Sequence, residues 1–137
     1  MMKATEIMIG DRLAYRGQYN AFDFRVEQVT KHKVGYHAEP GESRMHYLRL
    51  HEVQPIPLTT DILQHNGWEY SDEDEKFFAG TWCGGGLILQ QTDEGFMIVA
   101  ISDYDDEDTN RTPFTLRYVH ELQHALRLCN IDKEITL

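Results

Sequence analysis

His120-Glu121-Leu122-Gln123-His124 is the string in this chain with the clearest capacity for chemistry. It spells H-E-x-x-H. On a helix, residues four apart share a face, so two imidazoles can reach one zinc ion while the intervening Glu polarises a bound water. That chemistry would make the chain a small zinc-dependent hydrolase, with His120 and His124 as metal ligands and Glu121 as general base. Catalytic zinc takes three protein ligands plus water. The extended form of the signature would place Gly at 127 and His at 130, where this chain has Arg127 and Asn130. Glu134 is the one Glu after His124, and it falls beyond the expected helix end. His51 or Asp103 could be reached from upstream, but nothing in the sequence selects either. Helical phase points the same way. Val119, Leu122, Ala125, Leu126 and Cys129 form one apolar stripe. At about 100° per residue, His120, Gln123, His124 and Arg127 fall on the other side, as a solvated face or one covered by the rest of the chain. The expected assignment is therefore no catalytic residue, no metal ligand and no cofactor, with zinc on His120 and His124 as the alternative.

Other strings with chemical potential meet similar obstacles. Asp103-Tyr104-Asp105-Asp106-Glu107-Asp108 invites a calcium reading, but an EF-hand loop counted from Asp103 needs Gly at its sixth position and Glu at its twelfth. Those positions hold Asp108 and Phe114, so a solvated acidic loop is expected. Asp72-Glu73-Asp74-Glu75 reads the same way. Gly84-Gly85-Gly86 precedes an apolar strand and has no Lys beside it, so a turn or bulge is expected rather than a phosphate cradle. Cys83 and Cys129 would be nucleophiles only with a base alongside, such as His120 or His124. Cys129 lies on the apolar stripe, which favours a buried structural thiol. Tyr15, Tyr19, Phe22, Phe24, Tyr36 and Tyr47 cluster in the first part of the chain, where aromatics at loop edges can form a peptide-binding groove.

These groups must be positioned by elements legible in the pattern. Residues 1–54 read as short strands. Arg12 to Arg16 follows the Ile9-Gly10-Asp11 turn, and Gly17 to Asn20 makes a hairpin turn. Phe22, Phe24 and Val26 alternate with polar residues, as do Val34, Tyr36 and Ala38, with Thr30 to Lys33 turning between them. Leu48, Leu50 and Val53 complete the apolar set. Four or five such strands predict an SH3-like β-barrel. A Pro-rich connector over 55–58 comes next, since Pro55 and Pro57 lack the backbone donor and fix φ. Residues 59–137 predict an α+β subdomain. A helix capped by Thr59 or Thr60 is stopped by Gly67, and a strand begins at Trp68 and Tyr70. An antiparallel sheet then fills 76–101, with Phe77, Phe78 and Trp82 as anchors and a Thr92-Asp93-Glu94-Gly95 turn. A helix from about Leu116 to Cys129, capped by Thr112 or Thr115, leads to a short final strand at Ile135-Thr136-Leu137. The fold class expected is α+β, with the barrel packed on a small antiparallel sheet and two helices.

Charge and composition exclude several classes. The chain has 137 residues and a net charge of −10. Residues 1–57 hold 8 Lys/Arg and 7 Asp/Glu, whereas residues 58–137 hold 5 and 16, so the acidity belongs to the second part. Nucleic acid is disfavoured as a partner on this ground, with weak binding left open for the first part through Lys31, Lys33, Arg44 and Arg49. No apolar run approaches the roughly 20 residues that span a bilayer, and the start lacks an apolar signal region. Two cysteines make no disulfide framework, which fits a cytoplasmic protein.

Several strings together carry a resemblance. They are Lys3-Ala4-Thr5-Glu6-Ile7 with Ile9-Gly10-Asp11, then Val53-Gln54-Pro55-Ile56-Pro57-Leu58-Thr59, then Asn66-Gly67-Trp68, and Tyr118-Val119-His120-Glu121-Leu122-Gln123-His124. In this order they resemble a group of small uncharacterised proteins from phages and integrated mobile elements of anaerobic gut bacteria. The likeness covers both ends and the connector and misses most of 70–110. In that group the matching helix often reads H-Q-L-Q-N, which would replace Glu121 and His124 and lose a zinc site. The resemblance implies little chemistry and transfers no catalytic residue. The function expected is that of a non-enzymatic accessory protein of a phage or mobile element, meeting an unspecified protein partner through barrel-edge aromatics or the acidic C-terminal face.

Overall fold

A computed structural model describes residues 2–73, 75–79, 87–100, 115–129, 131 and 133–137. The chain divides into two compact units, Met1–Ile56 and Pro57–Leu137.

In the first unit, β1 (Arg12–Arg16) pairs antiparallel with β2 (Ala21–Arg25), and the Gly17–Asn20 turn is closed by the Gly17 N–H donating to the Asn20 carbonyl at 2.8 Å. After β3 (Gln28–Val29), β4 (Lys33–Tyr36) and β5 (His46–Arg49), a short 3-10 turn at Leu50–Glu52 leads to β6 (Val53–Pro55), which returns to the other side of β1. Two three-stranded sheets result, in the orders β2-β1-β6 and β3-β4-β5. They share one core of Met2, Ile7, Leu13, Phe24, Val26, Val34, Leu50 and Val53, with Tyr15, Phe22, Val29, Tyr36 and Leu48 against it.

The SH3-like barrel expected for residues 1–54 is overturned. A barrel requires a continuous hydrogen-bond ladder around all its strands. Here no ladder joins the two sheets among the described residues. The reason lies at Val26 and Glu27. Val26 donates to the Asp11 carbonyl at 2.9 Å and accepts from Gly10 at 2.7 Å, so it still belongs to the first sheet. Glu27 donates to the Gly35 carbonyl at 2.8 Å and belongs to the second. The chain changes sheet within one peptide bond, and among the described residues no strand pairs with the outer edge of β2. Asp11, fully buried, fixes the preceding turn by accepting the Met8 N–H at 2.7 Å. The expected connector also begins later than residue 55, because Pro55 closes β6 opposite Leu13. Ala38 lies outside β4 and is exposed.

The second unit starts with α1 (Thr60–His65), whose N-cap is Thr59, its hydroxyl accepting the Ile62 N–H at 3.2 Å. Gly67, at φ 93°, ends the helix in a conformation that favours glycine. A five-stranded antiparallel sheet follows in the order β11-β10-β9-β8-β7. Its strands are β7 (Trp68–Ser71), β8 (Lys76–Ala79), β9 (Ile88–Thr92), β10 (Gly95–Ala100) and β11 (Thr115–Leu116). Residues 92–95 turn between β9 and β10 as expected. Buried Trp68, Phe77, Leu89, Phe96 and Leu116 form the apolar side of the sheet. Thr115 belongs to β11 rather than capping a helix, and α2 (Val119–Leu128) starts three residues later than expected. The last residues form no strand. Instead Ile135 is fully buried and Thr136 is bound to Asn66 at the end of α1.

Candidate functional site

The H-E-x-x-H string does lie on one helix, α2, and the His120 and His124 rings meet edge to face with centroids 5.5 Å apart. Their surroundings differ from the solvated face that helical phase allows. His120 and Gln123 are each only 6 % exposed, and His124 is half-buried. Val119, Leu122 and Leu126 are buried as the stripe predicts. The helix is thus enclosed over a wider arc than one apolar stripe, and the solvated reading fails for two of its four residues; of the others, Arg127 is exposed. The Tyr118 ring stacks on His120 at 5.9 Å. Among the described residues no group of three His, Cys, Asp or Glu is placed to hold a metal ion.

Glu121 has a clear structural task. Its carboxylate accepts the backbone N–H of Tyr118 and of Arg117, each at 3.0 Å. Tyr118 is the N-cap of α2 and Glu121 is the third helical residue, so the carboxylate folds back over the helix start as in a capping box. There it satisfies donors that the helix cannot pair and offsets the positive dipole end. The Glu of H-E-x-x-H is therefore engaged with backbone, on a helix whose start it defines.

Cys129, at the C-terminal end of α2, is partly buried, and burial pushes its thiol above the ordinary value. That disfavours the thiolate a nucleophile needs. Cys83, Trp82, Gly84-Gly85-Gly86, Asp103 to Asp108, Thr112 and Asn130 lie outside the described residues. Asp72, Glu73 and Glu75 fall on the turn between β7 and β8, where the Glu75 N–H donates to the Ser71 carbonyl at 2.8 Å, and Asp74 lies outside the described residues. His51 lies in the 3-10 turn of the first unit, and Glu134 is exposed near the C-terminus.

Four of the six aromatics of the first unit, Tyr15, Phe22, Phe24 and Tyr36, are brought together, whereas Tyr47 is exposed away from them. Ring centroids run 5.2 Å from Tyr15 to Phe22, 5.6 Å from Phe22 to Tyr36, 5.0 Å from Phe24 to Tyr36, and 5.5 Å from Tyr36 to His46. Tyr19, by contrast, stands at the hairpin tip 93 % exposed. Beside the cluster opens a groove of about 680 Å³. One wall is β2, contributing Phe22, Asp23, Phe24 and Arg25, and the other is the end of β4 with the following loop, Tyr36 to Gly41. Four consecutive residues of one strand line this groove. Successive strand side chains point to opposite faces, so the groove runs along the edge of β2 rather than across a face. It occupies the interval that barrel closure would have zipped.

The backbone of that edge can be assigned. Gly17 pairs with Asn20, and Val26 pairs with Asp11, through direct N–H to carbonyl bonds. Hydrogen-bonded and non-bonded pairs alternate along an antiparallel ladder. Phe22 and Phe24, opposite Tyr15 and Leu13, therefore point their N–H and carbonyl groups at β1. Ala21 and Asp23 point theirs outward.

The loop forming the far wall is held by Glu42. Its carboxylate accepts from Nε2 of His46 at 3.1 Å and from the backbone N–H of Ala38 at 3.0 Å and of Glu39 at 3.4 Å. The His46 hydrogen bond, with these backbone donors, draws the Glu42 carboxyl below its ordinary pKa. Burial, helped by the nearby Glu42 carboxylate, raises the Tyr36 phenol. Neither the Glu42 clamp nor Asn66 is announced by a sequence motif. The i, i+4 spacing of Glu42 and His46 is the one hint, and it normally signals a helix pair, whereas here it spans a loop.

Comparison with protein families, with curated proteins and with solved structures finds no match for this chain. Among the described residues, no helix is long and apolar enough to cross a membrane.

Proposed function

We propose that this chain is a non-enzymatic accessory protein, of the kind carried by phages and mobile elements, that works through protein–protein contact in the bacterial cytoplasm. The observation that carries this reading is the groove along β2. An open strand edge with outward N–H and carbonyl groups, beside an aromatic wall of Phe22, Phe24 and Tyr36, is a surface to which an extended segment of a partner can add as a strand. Backbone pairing at Ala21 and Asp23 supplies register, and the aromatic wall supplies side-chain selection. The phage origin rests on the sequence resemblance alone. The engagement of Glu121 in capping α2 supports placing the chain outside zinc hydrolysis.

Two groove variants test the reading. Ala21→Pro removes one outward donor at a position where the ladder to β1 does not use it. Ala38→Arg fills the far wall from an exposed position. A partner captured from host lysate by the wild-type chain and lost by both variants supports the proposal. Capture that both variants retain, with their folds intact by circular dichroism, overturns the assignment to the groove.

A further inference from the structure

The outer face of the β3-β4-β5 sheet forms a second surface, separate from the groove. Strand alternation sorts the sheet cleanly. Val34 is buried and Val29, Tyr36, His46 and Leu48 are half-buried on the inner side, whereas Gln28, Lys33, Tyr47 and Arg49 are exposed. Register places Lys33 directly opposite Arg49, and Gly35 opposite both Tyr47 and Gln28. The Tyr47 hydroxyl donates to Oε1 of Gln28 at 3.1 Å, and the half-buried Met45 side chain lies over Gly35. Nζ of Lys33 sits 4.2 Å from the centre of the Tyr47 ring. Lys31 and His32, both exposed, lie on the turn between β3 and β4 beside this face. Among the described residues none of Lys31, Lys33 and Arg49 is ion-paired. The nearby Glu52 carboxylate accepts the backbone N–H of Arg49 at 3.0 Å, not its guanidinium. The face therefore presents three cations and an oriented phenol ring with no carboxylate among its exposed side chains.

We propose that this face binds single-stranded nucleic acid, a base stacking on Tyr47 while Lys31, Lys33 and Arg49 meet the flanking phosphates. Charge complementarity selects a polyanion, and the ring distinguishes a single strand, whose bases are free to stack, from a duplex. Lys33 covers the ring in the free protein. A lysine over an exposed ring contributes roughly two- to fivefold in an equilibrium constant, whereas a stacked base contributes roughly five- to 150-fold. Exchange of the ammonium for a base is thus favourable, and it delivers Lys33 to a phosphate. Lys33 lies 14 residues from Tyr47 and 16 from Arg49 in sequence, so the arrangement depends on the β4–β5 register. Arg44, grouped with these cations by composition, lies in the loop between β4 and β5, at the end of the strand pair opposite Lys33 and Arg49. The net charge of −11 over residues 58–137 opposes binding of a polyanion.

The test is fluorescence anisotropy of the full chain with a labelled oligothymidine of about 15 nucleotides at low salt, where phosphate contacts are strongest. Tyr47→Phe is expected to bind within about twofold of wild type and Tyr47→Ala to lose roughly fivefold or more. Each of Lys31→Gln and Arg49→Gln is expected to reduce the slope of log K against log salt by about 0.7. Absence of binding at low salt, equal binding by Tyr47→Ala, or equal competition by duplex DNA overturns the proposal. Circular dichroism confirms that the surface variants keep their fold.

Discussion

Replacing Glu121 distinguishes a helix cap from a general base, because the two roles predict opposite signatures. The carboxylate holds two backbone donors at 3.0 Å, on Arg117 and Tyr118. Arg117 is exposed and Tyr118 half-buried, so water replaces part of what is lost. Loss of such a cap costs about 1 kcal/mol, and loss of the negative charge at the helix start adds about 0.3–1 kcal/mol. Glu121→Ala is therefore expected to destabilise the second unit by about 1–2 kcal/mol. Glu121→Gln keeps an acceptor and forfeits only the charge, so its cost is about 0.3–1 kcal/mol. Both tryptophans, Trp68 and Trp82, belong to residues 57–137, so urea unfolding followed by tryptophan fluorescence reports this unit selectively. A general base would behave differently: Glu121→Gln would leave stability untouched and remove about 10²- to 10⁴-fold of a hydrolytic rate. Glu121→Ala with unfolding free energy within about 0.3 kcal/mol of wild type would refute the capping argument, since no reading of the two hydrogen bonds at a helix start predicts so little. Co-purification of stoichiometric zinc, lost on His120→Ala, would refute the non-catalytic reading directly.

Asn66 is buried and binds Ile62 and Thr136 carbonyls through Nδ2, both at 2.8 Å, and the Thr136 N–H through Oδ1 at 2.7 Å. Asn66→Ala removes the partner of the Thr136 N–H and carbonyl, which water reaches in part, and is expected to cost about 1–3 kcal/mol, measured by the same urea titration. Glu42 titrates below its ordinary value of 4.5 in the folded protein. Its contribution is present above that value and is lost as pH falls through the depressed one. Wild type and Glu42→Gln should therefore differ in stability at pH 7 and converge as pH falls through the depressed value, as read by tyrosine near-UV circular dichroism. In a Cys83→Ser background, alkylation of Cys129 by iodoacetamide should follow an apparent pKa above that of free thiol, because burial disfavours its thiolate.

Local pattern determined most of the elements. The Gly17–Asn20 hairpin, the Thr59 cap, the Gly67 stop and the 92–95 turn follow from residue types whose backbone preferences act within a few positions. The α2 boundary differs from the sequence expectation because Leu116 stands three residues before Val119, in phase with the helix stripe, yet its backbone pairs with Phe96 of β10. Closure of the first unit was decided by tertiary structure. The alternation of Phe22, Phe24, Val34 and Tyr36 defines which faces are apolar, but not which edges pair. The single-peptide switch from Val26 to Glu27 settles that, leaving a groove where a barrel would have a ladder. The candidate surfaces divide along the same line. His120, Glu121 and His124 were legible as a motif because a helix repeats every few residues. The role of Glu121 as a cap depends on where the helix begins, and the Lys33–Tyr47–Arg49 face depends on register between strands. Sequence spacing encodes neighbours along one element, whereas contacts between elements arise only when the chain has chosen its pairings.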